Sequence, residues 1–500
     1  MRPLPLMERL DKATTIIAQI CNISGSPSAS VGILHHDEMI WDHGFGYRDV
    51  AAQKRPTPDT MYGIGSLTKG LVAAGLGQLF DREAALSWLS PVQDIIPSFK
   101  PKSQQLDGLL ADMSVASQGD MEFLLAPKDM IPTIANLDSV APFRRQWMYN
   151  NWGYSMAGAV IEELSKRPFY DHVKDVVLDP LNLSSTTTRP VVGEDSDFAE
   201  AYTALHDASF HPLPRVFPFK GSVFEAAGAV LKAERDPHNQ IPLDNPSRDC
   251  RFYGMGWIGT QLPGVVGLQG DNADLFDWDE LPILGQDSQP MMTYYHQGAG
   301  LGYYSAIFTF PETRSAIAVL TNSIPLNDAA DWIVQVLVSA LFGFPERADY
   351  VHLAQESRRR KLANVAAMKD EFDRIREDHP GSSMPYKVFF IKVREQGQCS
   401  NCLEISFQGM DTQVYKLRHL TTDVFEWAME YDESARRARF TIWDPKYFEI
   451  DFQFEGGDKA VSLRWAKWTD LSPEGIPMNR QVEDVTKFTS DTGTNNDLEL

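Results

Sequence analysis

The stretch Gly63-Ile-Gly-Ser-Leu-Thr-Lys-Gly70 sets a serine, Ser66, three residues ahead of a lysine, Lys69, directly after two glycines. Gly63 and Gly65 permit a tight turn, and the run SLTKGLVAAGLGQLF that starts at Ser66 is apolar almost all round, as a buried central helix would be. Ser66 is therefore expected at a helix N-terminus, where the dipole favours developing negative charge. At a spacing of i,i+3, Lys69 shares its face and can reach the hydroxyl. Burying the ammonium would lower its pKa, so that it could take the serine proton. The plain alternative is an N-cap serine followed by a surface lysine. The pair is nonetheless unique, since no other serine in the chain has a lysine three positions on.

Two further stretches carry candidate chemistry. WMYNNWGYSMAGAVIEEL sets Tyr149 and Asn151 just before a helix, so both can point into one cleft. A tyrosine there can shuttle protons, and an asparagine can orient a lysine or bond a substrate carbonyl. In isolation they read equally as a packing aromatic and a capping amide. YYHQGAGLGYYSAIF brings His296, Gln297 and Gly298 into a strand, with Gly300 and Gly302 close behind. Glycines at that point let a ligand approach the backbone, and a strand-edge N–H such as that of Ala299 could serve as an oxyanion donor. Taken alone, this too is only a glycine-rich loop with a surface histidine.

The bulk composition bounds the rest. A chain of 500 residues implies two or three domains, and 43% hydrophobic with 23% charged residues fits a globular protein. A formal charge of -22 argues against nucleic acid and acidic membrane surfaces as partners. The only dense basic run, Arg358-Arg-Arg-Lys361, reads as a solvated helix face. Four cysteines are too few for a disulfide framework and fit a reducing compartment. Cys399-Ser-Asn-Cys402 has redox or zinc spacing, but no second such pair or paired histidines accompany it. TTIIAQIC near the start is too short and polar for a signal or a membrane span, so a cytoplasmic location is expected. Neither His-Glu-x-x-His nor Gly-x-Ser-x-Gly occurs, and His35, His36 and His43 lack a carboxylate pattern, so no metal and no cofactor are expected.

Along the chain, residues 28–47 read as a hairpin turning at His36-Asp37-Glu38. GYYSAIFTF and SAIAVLTN form a second hairpin around Pro311–Arg314, followed by an apolar-periodic helix from about Asp328 to Phe342. Between them, residues 66–190 are mainly helical. Strands that open and close the first 345 residues, with helices between, imply an α+β domain whose antiparallel sheet draws on both ends of that stretch. Residues 346–380 read as a linker helix. From 381 to 485, seven short runs, including ARFTIW and YFEIDFQF, predict a small antiparallel barrel or sandwich, and 486–500 a polar tail.

The order of the three motifs completes the reading. Ser-x-x-Lys, then Tyr-x-Asn, then His-x-Gly at the start of a late strand resembles the serine β-lactamase and penicillin-binding-protein superfamily. The His-x-Gly form is similar to class C-like esterases, D-aminopeptidases and acyltransferases, many relatives having Lys-Thr-Gly instead. GFGYRDVAAQKRPTPDTMYGIGSLTKG, LSWLSPVQDIIPSF, YGMGW and AIFTFPETRSAIAVLTNS extend the likeness over residues 25–345. The β-rich remainder resembles a lipocalin-like domain attached to some of these enzymes.

That resemblance implies that Ser66 is the acylated nucleophile and that Lys69 and Tyr149 share the general-base and general-acid work. Asn151 would position the lysine and the substrate, His296 with Gly298 would meet the substrate or the tyrosine, and the N–H groups of Ser66 and Ala299 would form the oxyanion hole. Two stretches depart from the superfamily pattern, LLADMSVASQG (109–119) and AAGAVLKAERD (226–236), which puts specificity in doubt more than catalysis. The acidic, aromatic segment from Gln261 to Met292 is expected over the cleft. The implied activity is a serine hydrolase cleaving an ester or amide of a fairly apolar small-molecule metabolite, in a setting such as fungal-type secondary metabolism. An acyltransferase or cyclase using the same residues, and a non-catalytic metabolite-binding protein, are the alternatives. Oligomeric state is left open.

Overall fold

The computed structural model describes residues 4–82, 85–101, 127–136, 149–187, 197–214, 239–240, 251–300, 302–375, 391–395, 403–407, 410, 412–421, 423–439, 441–454, 460–465 and 476–479. The stretches 109–119 and 226–236, Cys250, Cys399 and Cys402 lie outside the described residues.

Helix α1 (Leu6–Ser24) precedes the first hairpin, formed by β1 (Ser28–His35) and β2 (Glu38–Gly46). Its turn residues His36 and Asp37 both have positive φ, 53° and 67°, which matches the right-handed twist of the strands they join. The small strands β3 (Tyr202–Ala204) and β4 (Phe210–Pro212) follow a helical region. That region holds α2 (Lys69–Arg82), α3 (Val92–Ile95), α4 (Met130–Asn136), α5 (Asn151–Ser165) and α6 (Phe169–Val173). Next come β5 (Asn239–Gln240), β6 (Arg251–Gly254), β7 (Trp257–Leu262), β8 (Met291–Gly300), β9 (Tyr303–Phe310), β10 (Ser315–Thr321) and β11 (Ser323–Ile324).

The main sheet has the order β2-β1-β10-β9-β8-β7-β6-β5, and its paired strands are antiparallel. Ala29 pairs with Thr321 and Leu34 with Ala316, so the first and last strands lie side by side, as the order of strand signals implied. Its two faces carry different loads. Ile33, Ile317, Phe308, Tyr295 and Ile258 stand in register across the sheet and pack under α1 and α7 (Ala329–Phe342). The other face, at Ile307, meets Leu67 and Trp257, and this is the side where α2 begins. Alternation along β8 therefore decides which residues face the site.

The segment from Gln261 to Met292 was expected over the cleft, and its stretch between β7 and β8, 263–290, is found elsewhere. It packs against α7 and α8 (Tyr350–Ile375), on the sheet face opposite Ser66. Asn272 Nδ2 donates to Asp331 Oδ2 at 3.0 Å, Phe276 meets Trp332 edge-on with centroids 6.1 Å apart, and Arg360 pairs with Glu280 at 2.6 Å. Its acidic side chains thus serve the basic run of α8, which is only in part a solvated face: Lys361 is 2% exposed.

Beyond α8, β12 (Ile391–Glu395), β13 (Leu403–Phe407), β14 (Val414–Thr421), β15 (Val424–Glu426), β16 (Glu449–Phe454), β17 (Ala460–Trp465) and β18 (Ile476–Asn479) form one antiparallel meander in chain order. The described residues of ARFTIW, expected as a strand, are not in one. The chain between β15 and β16 instead forms α9 (Tyr431–Arg436) and α10 (Pro445–Phe448), with Asp444 capping the latter. Arg439 lies over the rings of Tyr415 and Trp427, at 4.5 and 5.2 Å, so the segment crosses the aromatic interior rather than pairing at an edge. Among the described residues no helix is long and apolar enough to cross a membrane.

Candidate active site

Ser66 lies in a 3-10 turn, Gly65–Thr68, and α2 starts at Lys69. This refines the expected helix start: in a 3-10 turn residues three apart eclipse each other, which brings the lysine over the serine more directly than an α-helix would. Lys69 Nζ is 3.0 Å from Ser66 Oγ and 2.6 Å from Asn151 Oδ1. It also stands over the rings of Tyr149 and Tyr154, 4.8 and 5.4 Å from their centroids. Lys69 is fully buried, whereas Ser66 keeps partial exposure, so the hydroxyl can be reached while the amine cannot. Among the described residues no carboxylate pairs with Lys69. Desolvation therefore goes uncompensated and lowers its pKa from 10.5 to about 7.

Helix α5 supplies the next partners. Asn150 caps it, its side chain accepting from Gly153 N, and Asn151 follows with its amide directed at Lys69. Tyr149 precedes the cap and hydrogen-bonds Ser66; burial of its hydroxyl holds the phenol well above its ordinary value, so it stays protonated. His296, on β8, is buried. Its Nδ1 meets the carbonyl of Gln297, and its Nε2 lies 3.3 Å from the Tyr253 hydroxyl. Burial first, and the nearby Lys69 second, push its pKa down to about 3, so the ring is neutral at any working pH.

Two glycines allow the backbones to meet. A Cβ on Gly65, whose φ is +50°, would lie 2.5 Å from Ala299 O and 2.9 Å from Ala299 N, so any side chain there would push Ser66 off β8. A Cβ on Gly298 would lie 2.1 Å from Ile64 O. The structure thus brings together Ser66, Lys69, Tyr149, Asn151, His296, Gly298 and the Ala299 backbone. Sequence reading overlooked Tyr154 and Tyr253, whose hydroxyls are 3.4 Å apart beside the same lysine and histidine. Tyr154 follows Asn151 by one helical turn and could have been found by periodicity, whereas Tyr253 comes in on a different strand.

The Beta-lactamase family model matches residues 14–340. Among similar curated proteins, the Unguisins hydrolase ungD of Aspergillus violaceofuscus is 23% identical over 90% of this chain and 84% of its own length. Penicillin-binding protein 4* of Bacillus subtilis is 21% identical over 62% of this chain and 71% of its own. The putative penicillin-binding protein PbpX of the same bacterium is 28% identical, but over only 31% of this chain and 40% of its own. The solved octameric penicillin-binding protein homologue from Pyrococcus abyssi shares the fold, with a TM-score of 0.53 at 18% identity over 91% of this chain and 97% of its own.

Proposed function

The chain belongs to the beta-lactamase family, and on that premise we propose that it is a serine hydrolase that forms an acyl-enzyme on Ser66. The observation that carries the reading is Lys69: a fully buried amine, 3.0 Å from the serine hydroxyl, with no carboxylate partner among the described residues. A pKa lowered to about 7 makes a large fraction of it a free base at neutral pH.

In the proposed cycle Lys69 takes the Ser66 proton as Oγ attacks the ester or amide carbonyl. The N–H groups of Ser66 and Ala299 hold the developing oxyanion; losing one such donor typically costs roughly 100- to 1000-fold in rate. Tyr149, kept protonated by burial, gives the leaving group its proton and takes in exchange the one Lys69 removed from Ser66, so that Lys69, neutral again, accepts a proton from the water that releases the acyl chain. Asn151 fixes the lysine. Of the two roles shared by Lys69 and Tyr149, the base falls to Lys69, because a phenol raised above its ordinary value is not present as the phenolate that could take the serine proton. The substrate is proposed to be an ester or amide of a fairly apolar metabolite. Hydrolysis rather than transfer is supported by the name of the relative that spans most of this chain. The division into a catalytic unit, 1–345, a helix within 346–380 and a lipocalin-like unit, 381–485, is part of the same proposal, and the meander β12–β18 supports its last member.

Intact-protein mass spectrometry with a fluorophosphonate or a p-nitrophenyl ester tests the nucleophile. The wild type should gain one label and Ser66→Ala none; equal labelling of both removes Ser66 from the role. An added alcohol or amine that captures the acyl group would favour transfer over hydrolysis.

A further inference from the structure

His296 occupies the position where many relatives carry a lysine, yet its two ring nitrogens are already engaged. The carbonyl of Gln297 can only accept, so Nδ1 carries the ring proton. The neutral ring then has a single acceptor, Nε2, and the Tyr253 hydroxyl at 3.3 Å must donate to it. The Tyr154 hydroxyl lies 3.4 Å from that of Tyr253, and the Tyr154 oxygen accepts from the backbone N–H of Gly256. Among the described residues the titratable groups that face the imidazole are Lys69, Tyr149 and Tyr253, and none is a carboxylate. The ring of Tyr149 rests between them, 5.9 Å from His296 and 6.1 Å from Tyr253, centroid to centroid.

We propose that Tyr253 is a positioning residue that locks His296 as an uncharged acceptor, so that position 296 walls the Tyr149 ring and offers the substrate neither a positive charge nor an N–H donor. The inference rests on the reading in which Ser66 is acylated, and it narrows the substrate class: an acyl group bearing a carboxylate gains nothing from His296. Tyr253 acts through His296 and Tyr149.

Nitrogen NMR on protein labelled at histidine reads this without turnover, so it stands even where no ester is cleaved. The signal of His296, assigned by its loss in His296→Gln, should show a neutral ring protonated on Nδ1 and bonded at Nε2 between pH 6 and 8. In Tyr253→Phe the Nε2 signal should move to that of an unbonded nitrogen or to a mixture of tautomers. Turnover of p-nitrophenyl acetate by that variant should fall about tenfold in kcat with little change in KM, since displaced catalytic groups cost rate rather than binding. The wild type should show no preference for a p-nitrophenyl ester whose acyl chain ends in a carboxylate. A His296 that is cationic or protonated on Nε2 in the wild type overturns the proposal, and this holds even if Tyr253→Phe does not fold. So does a Tyr253→Phe variant with an unchanged signal and unchanged turnover, or a wild type that favours the carboxylate ester. Loss of labelling at Ser66 with the His296 signal as expected would count against the proposed function alone.

Discussion

Among the described residues two lysines are buried to nearly the same degree, and what they touch separates them. Lys361, on α8, donates to Asp271 Oδ2 at 3.1 Å and to the carbonyl of Pro325 at 3.2 Å. Tyr304 donates to the same carboxylate oxygen at 2.9 Å, so the ammonium ion is neutralised and ties α8, the 263–290 segment and β9 together. Lys69 finds a hydroxyl, an amide oxygen and two aromatic faces. An ion pair makes a buried lysine structural. Polar neighbours that cannot supply a full negative charge leave its cationic form expensive, and a base results.

Exchanging each lysine for methionine should separate the two roles. Lys69→Met is expected to lose about 100- to 10,000-fold in ester hydrolysis, the range for a positioned proton acceptor. The same change should make the fold more resistant to denaturant. A pKa that falls from 10.5 to about 7 on folding corresponds to about 5 kcal/mol of instability below pH 7, which fades as pH rises towards 10.5. Leaving Asn151 and Ser66 without their partner returns about 1–3 kcal/mol of that. A net gain of roughly 2–4 kcal/mol below pH 7 should appear as a higher urea midpoint. Lys361→Met should do the opposite: a loss of about 1–3 kcal/mol, moderated because Asp271 can turn to water, with turnover within a few-fold of wild type. If both variants lose activity and stability in step, the distinction between them fails.

The contrast also marks what a sequence can carry. Ser66 and Lys69 were legible because a single turn of backbone links them, and Tyr149 and Asn151 because they flank the start of one helix. The two hairpins followed from apolar alternation around His36-Asp37 and Pro311–Arg314, and the pairing of β1 with β10 from the order of strand signals. Lys361 was read as part of a solvated face because its partner, Asp271, lies 90 residues away on a segment whose destination has no local signal. For the same reason that segment was assigned to the wrong side of the sheet. ARFTIW alternates like a strand, but its arginine, Arg439, stacks on Tyr415 and Trp427, contacts that exist only once the meander has formed. Tyr253 escaped notice because its partner, His296, sits two strands away across β7.

The account turns on Lys69 being the base, and the pH dependence of Ser66 labelling reads that most directly. With a fluorophosphonate under pseudo-first-order conditions, followed by intact mass, the wild-type rate should rise with pH through a single ionisation centred near 7 and level off above it, because only the neutral amine accepts the proton. Lys69→Met should label far more slowly with that ionisation gone. A wild-type rate that is flat from pH 5 to 9, or a Lys69→Met variant that labels at the wild-type rate, would contradict the account.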